Sequence, residues 1–318
     1  MRSLLIFALV GLGAQLVDGA LGMAFGVTAS TLLVLSGVAA AQASAAVHLA
    51  EVGTTLASGL SHWRFRNIDW GIVLKLGVPG AIGAFAGATV LSSLSTEDAA
   101  PLMAAILLVI GMYVLLRFSL RTPPVFRSGA TPHTAKFLTP LGLFGGFIDA
   151  SGGGGWGPVT TSTLLSRGKT APRTVIGSVS ASEFLVAVSA SLGFLVGLRA
   201  EFLDNIPIVL GLAAGGVVAA PLAAWLVSRI SPALLGTAVG GVIVLTNAQK
   251  LVRYFGIHGG ASTAIYTVIA VAWAGLVLVA WRTSRAPECV GADVDLEGLD
   301  QADISVEAPA DEPRVPTR

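Results

Sequence analysis

A single cysteine, Cys289, occurs in 318 residues. One thiol cannot close a disulfide within the chain and cannot build a cysteine-rich metal site. Charge is scarce as well. Asp, Glu, Lys and Arg make up 12% of the chain, about half of the roughly 25% usual in soluble domains. Nothing in the chain supports nucleic-acid binding or metal catalysis, and no cofactor is expected. What remains is apolar: 54% of residues are hydrophobic and the mean hydropathy is +0.80. Such a composition marks an integral protein of the lipid bilayer with several spans.

The few charges are unevenly placed. Nine of the 18 acidic residues (Glu288, Asp293, Asp295, Glu297, Asp300, Asp303, Glu307, Asp311 and Glu312) fall within 286–318, together with Arg314 and Arg318. That stretch has no aromatic residue and no apolar periodicity, so it reads as a disordered acidic tail. Residues 1–285 read as one transmembrane domain.

The chain also repeats itself. Gly11 to Gly26 is GLGAQLVDGALGMAFG, and Gly142 to Gly157 is GLFGGFIDASGGGGWG. A shift of 131 residues sets Asp18 on Asp149. A shift of 132 then sets Thr31-Leu32-Leu33 on Thr163-Leu164-Leu165 and Glu51 on Glu183. Further on, Tyr113 to Arg117 matches Gln249 to Arg253 less closely. The first repeat covers about 3–118 and the second about 137–254, with an added helix near 262–282. Arg2 followed by Leu4 to Val10 looks like a signal peptide. Its repeat partner, Phe137 to Ile148, sits mid-chain where nothing is cleaved, so the segment reads as part of the domain.

Crossing a bilayer takes about 20 apolar residues in a helix. Segments 43–62, 70–94, 99–118, 173–197, 205–228, 232–254 and 262–282 meet that length. Segments 3–35 and 137–165 differ. As straight helices they would run about 50 Å, too long for a core of about 30 Å. Each also carries a glycine cluster in its middle, and such clusters break helices. Each either crosses as two half-helices or dips in and returns as a hairpin. If both cross, the halves are parallel, and the best orientation puts ten basic residues inside against six outside. If both are hairpins, the halves are inverted. The cytoplasm then receives Arg64, Arg66, Arg117, Arg121, Arg127, Lys136, Arg167, Lys169, Arg173, Arg229, Arg282 and Arg285, and only Arg2, Arg199, Lys250 and Arg253 lie outside. Loop Lys and Arg residues concentrate on the cytoplasmic side. The expectation is therefore an all-α polytopic membrane protein with seven full spans, an inverted internal repeat, two glycine-rich re-entrant hairpins and a cytoplasmic C-terminal tail.

Non-helical backbone at membrane depth survives only where protein buries it or a wet cavity receives it. A half-helix starting after a glycine cluster presents free N–H groups and the positive end of its dipole. Two such starts meeting near the midplane form an anion site without Lys or Arg. Gly22 in the first cluster and Ser151, Gly152, Gly153, Gly154 and Gly155 in the second are candidate substrate contacts. Intramembrane ionisable groups are functional by default. Asp18, Asp149, Glu51 and Glu183 are the repeat-paired examples, read as coupling or gating groups. An Asp just before a half-helix can equally serve as its cap. His48, one turn before Glu51 on the same face, is read with these acids as a coupling or gating group; its repeat partner is Ser180, a candidate anion ligand.

At these residues the chain resembles the TauE/SafE sulfite exporter family. The resemblance rests on GGFIDASGGGGWGPV (Gly145 to Val159) and on SAAVHLAEVGTTLASGLSHWRFRNIDW (Ser44 to Trp70), and extends over about 3–282. It implies movement of small sulfur-containing anions: sulfite, thiosulfate, sulfoacetate and other sulfonates. Two departures stand out. The first cluster reads GALGMAFG in place of a full glycine run, so the half-sites are expected to be unequal. No strongly basic residue lies at the midplane, so the substrate cannot be read directly. The expected partners are a small anionic solute, the lipid bilayer and, for uptake, protons as coupling ion. The chain leaves the oligomeric state open. Competing readings are a carrier of a carboxylate or a cation, a membrane assembly factor without transport, and an intramembrane protease using Asp18 and Asp149. The protease fits poorly, since no Tyr precedes Asp18 and the second motif lacks Gly-x-Gly-Asp.

Overall fold

A computed structural model describes residues 2–21, 23–120, 133–227 and 231–285. The regular structure among them is helical, with no strand. The helices are α1 (Arg2–Leu21), α2 (Phe25–Leu35), α3 (Ala40–Arg64), α4 (Trp70–Ser93), α5 (Thr96–Leu120) and α6 (Ala135–Gly152). A π-helical turn, Gly157–Thr161, runs into α7 (Ser162–Ser166). Then follow α8 (Pro172–Leu198), a 3-10 stretch over Arg199–Asn205, α9 (Ile206–Val227), α10 (Pro232–Tyr254) and α11 (Gly260–Arg285). Met1–Ser284 forms one compact unit. The acidic tail read over 286–318 lies outside the described residues.

Six helical segments among the described residues are long and apolar enough to cross a membrane: Trp70–Ser93, Thr96–Leu120, Pro172–Leu198, Phe202–Ala219, Pro232–Tyr254 and Gly260–Ser284. The expected span at 43–62 is not among them. It lies in α3, which at 25 residues is long enough but carries too many polar side chains. Ser44, His48, Glu51 and Thr55 are all buried, so these groups are kept inside protein and away from lipid.

The outer faces carry the apolar surface. On α4, Leu74, Val78, Ile82 and Phe85 are exposed at near-helical spacing while Gly77, Gly80, Gly83 and Gly87 face inward. This reverses the pattern of a water-soluble helix and suits a helix that meets lipid outside and other helices through small residues inside. The chain is a multi-pass membrane protein.

The two repeats exchange helices. α1 of the first packs along α9 of the second, and α6 of the second packs along α4 of the first. α3 pairs with α8 and α5 with α10, each with its own repeat equivalent. Glycine permits both exchanges. A Cβ on Gly83 would fall on the Leu143 carbonyl and one on Gly146 on the Gly80 carbonyl; in the other pair, Gly215 lies against the Ala8 carbonyl and Gly11 against that of Leu212. Among its described residues, the added helix α11 has one buried side chain, Ala280. Its Trp273 indole N–H donates to the Thr237 carbonyl of α10 at 3.1 Å.

Both long segments are interrupted where the glycines predict. α1 stops at Leu21 and α2 starts at Phe25; α6 stops at Gly152 and helix resumes at Gly157.

Candidate functional site

Each break is closed by its own aspartate. Asp18 Oδ1 accepts the Phe25 N–H at 3.1 Å. Asp149 Oδ1 accepts the Trp156 N–H at 2.8 Å. In both cases the carboxylate at the end of one helix caps an amide seven residues ahead, at the start of the next. The repeat seen in sequence is thus also a repeat of hydrogen bonding.

The backbone between differs. Gly153, Gly154 and Gly155 have φ of +74°, +145° and +156°, conformations that are strained for residues with a Cβ. Gly154 also lies directly on the backbone of Gly26 and Val27, where a Cβ would overlap the Val27 nitrogen. The Ser30 hydroxyl of α2 donates to the Gly153 carbonyl. The second break is therefore clasped by the first. Gly152 packs against Ile106, and the Ser151 hydroxyl donates back to the Phe147 carbonyl. Gly22 lies outside the described residues.

His48 is fully buried beside the second break. Its Nδ1 lies 2.8 Å from the Ser44 carbonyl, which can only accept, so Nδ1 carries a proton. The Ser44 hydroxyl, 3.3 Å from the same Nδ1, donates to the Ala150 carbonyl at 2.6 Å. Nε2 lies 3.1 Å from Asp149 Oδ2. With Nδ1 protonated, a second proton must lie between Nε2 and Oδ2. The pair is either imidazolium with carboxylate or imidazole with carboxylic acid. A proton is thus held at the second break, bridging the first repeat's α3 to the second repeat's α6.

A cavity of about 280 Å³ opens between the breaks. Asp18, Glu51, Asp149 and Glu183 line it, with residues 23–27 of the first break and 155–158 of the second. Of the other sequence-derived candidates, Gly155 and Ser180 line it too. Ser151, Gly152, Gly153 and Gly154 are absent from its wall and hold the breaks together, and His48 stands behind Asp149. No Lys or Arg among the described residues lines the cavity. Among the described residues, no grouping of three His, Cys, Asp or Glu side chains could hold a metal ion.

Several wall residues were not singled out from sequence. Ser58 and His62 continue the face of Glu51 and Thr54 along α3 at i+4 steps, and helical periodicity alone could have found them. Gln15 lies one turn before Asp18 in the same way. Ser58 and Ser180 share a hydrogen bond of 2.7 Å between their hydroxyls, which ties α3 to α8 at the cavity wall. By contrast Ser178 accepts the Asp69 N–H and Ser182 donates to the Val179 carbonyl; both serve packing.

The family model of the sulfite exporter TauE/SafE matches residues 7–249 of this chain, which include both breaks and the whole cavity wall. The chain belongs to the TauE/SafE sulfite exporter family. A relative from Bacillus subtilis (strain 168), named "Probable membrane transporter protein YtnM", is 49% identical over 278 residues, 87% of this chain and 92% of the relative. No solved structure matches. The matched region of this TauE/SafE family member ends before α11. The chain is a membrane transporter of that family.

Proposed function

We propose that this transporter moves small sulfur-containing anions, such as sulfite, thiosulfate or sulfoacetate, through the cavity between the two breaks by alternating access. The observation that carries the reading is the convergence of two interrupted helices on one small polar cavity. First-turn amides at Gly26, Val27 and Gly157 belong to helix starts, which lack intrahelical acceptors, and the positive ends of those dipoles suit an anion. The Thr161 hydroxyl, and whichever of Ser58 and Ser180 accepts in their mutual hydrogen bond, supply further donors. At roughly 30 Å³ per water, the volume takes one small oxyanion with a few waters. It lies just below the roughly 300–1,000 Å³ of pockets for drug-sized ligands.

Four carboxylates and no fixed positive charge would repel an anion if all were ionised. The two aspartates already serve the breaks, each accepting a backbone N–H. Glu51 and Glu183, repeat-related and facing the same cavity, are the groups that carry protons when the anion binds. Anion and proton then move together on uptake. Export needs no such coupling, because expelling one negative charge from an interior negative by 100 mV is favourable by about 2.3 kcal/mol. The repeats are read as inverted and the interrupted segments as re-entrant hairpins, with the loops richer in Lys and Arg in the cytoplasm. The exchange of α1 and α6 between repeats gives a rocking motion two equivalent halves to work with. Membrane-domain boundaries near residue 285, and a cytoplasmic tail beyond it, complete the proposed layout.

Four carboxylates also favour a second reading, in which the solute is a cation. Purified protein in proteoliposomes separates the two. We expect uptake of labelled sulfite, thiosulfate or a sulfonate that rises with an inward proton gradient. Glu183→Gln should remove the gradient dependence and leave the downhill flux. Uptake of a labelled metal cation with no flux of any of the three anions would overturn the anion reading.

A further inference from the structure

A second cluster lies away from the cavity, where α6 begins. His133 is 6% exposed, and among the described residues neither ring nitrogen has a hydrogen-bond partner. Buried polar groups are rarely left so. Its ring stacks on Phe137 at 5.9 Å with an interplanar angle of 29°. The Arg167 guanidinium lies over the same Phe137 ring, 3.6 Å from its centroid. His133 and Arg167 therefore both lie within 6 Å of one aromatic ring. α6 starts here too, and its N-cap, Thr134, makes no side-chain cap hydrogen bond. The positive end of an 18-residue helix is thus uncapped beside an unpartnered imidazole and a guanidinium.

We propose that His133, Arg167 and the start of α6 form a separate oxyanion site, for a tetrahedral sulfate- or phosphate-type group, either free or on a lipid head. Each component is a donor or a positive charge, and the buried imidazole supplies the ligand-directed group that the fold leaves unused. Asp69 is the acid that acts on His133. Its Oδ1 is occupied by the Gly71 and Ile72 N–H groups at the start of α4. Lys169 adds positive charge to the surroundings. Burial, then Lys169 and Arg167, push the His133 imidazole below its ordinary range, against a smaller opposing pull from Asp69. A bound oxyanion would reverse that balance and raise the imidazole's titration midpoint. The site lies outside the transported-solute cavity, whose wall includes His62 instead.

The chain has four histidines, so ¹⁵N-histidine labelling of full-length protein in detergent reports each ring separately, with His133→Gln assigning the signal. Sodium sulfate, against sodium chloride at matched ionic strength, should shift the His133 resonances saturably and raise their pH midpoint by about one pH unit. Arg167→Gln, an exposed position, should remove most of that shift while leaving the His62 response unchanged. Titration with phosphatidylglycerol in place of sulfate separates the sources. A response to the lipid alone assigns the site to a headgroup, and a response to sulfate assigns it to a free oxyanion. Silence of His133 towards both probes, or an undiminished response in Arg167→Gln, would overturn the proposal. A silent His62 would instead count against the transport cavity.

Discussion

The two breaks solve one problem with different residues. Both must stop a helix inside the membrane domain, turn, and restart it, and both do so with an aspartate that caps an amide seven residues on. The second break turns on Gly153, Gly154 and Gly155. The first does without that run: Met23 stands where the second has Gly154, and Ala24, with φ of +89°, stands where the second has Gly155. The second break also holds the His48–Asp149 pair, whereas the residue matching His48 in the repeat, Ser180, is bonded to Ser58. The first break is thus a plain capped turn. The second is tightly packed around a His48–Asp149 pair, and glycine is required where it lies against the first.

The comparison breaks most sharply at Gly154. Gly154→Ala adds a Cβ at a strained φ and onto the Val27 nitrogen. A loss of about 4 kcal/mol or more is expected, seen as failure of the protein to elute as a single folded species in detergent. Normal folding of this variant would show that the breaks do not interlock as described.

The next largest effect separates the paired histidine from its serine counterpart. His48→Ala leaves Asp149 without its partner in a buried site, a loss of about 3–5 kcal/mol, whereas Ser180→Ala should cost about 1 kcal/mol. Chemical unfolding of the two variants side by side measures the difference. Equal losses would mean that the His48–Asp149 contact carries no special weight.

Removing the caps sharpens the same contrast. Asp18→Ala should cost about 1–2 kcal/mol, the value of one lost N-cap. Asp149→Ala should cost more, because His48 also loses its partner. The reverse order in thermal unfolding would assign the stronger cap to the first break.

The smallest effect is a gain. Ala24→Gly relieves a left-handed alanine, offset in part by the greater freedom of glycine in the unfolded chain, for a net stabilisation of about 0.5–1 kcal/mol. A lower melting temperature in this variant would show that Ala24 is not strained.

The fold was largely legible from local properties. Composition marks the membrane, the 131-residue repeat marks the two halves, and segment length against bilayer thickness marks both breaks. The span expected at 43–62 falls in α3, whose polar residues Ser44, His48, Glu51 and Thr55 are buried against protein. The site was legible only in part. Asp18, Glu51, Asp149, Glu183, Gly155 and Ser180 line the cavity. Gly152, Gly153 and Gly154 are approached by Ile106, Met103, Ser30 and the backbone of α2. Glycine in a sequence announces a close neighbour without naming it.

By itself the sequence determined that the chain lives in a bilayer, is built twice over, and interrupts two helices beside buried acids. These follow from composition, length and repetition, which are properties of stretches of chain. Only the tertiary structure decided that α1 and α6 change places between the repeats, that Gly154 rests on Gly26, and that a proton sits between His48 and Asp149. Those pairings join residues about 100 or more positions apart. They depend on which faces meet when the helices pack, and no spacing along the chain encodes that.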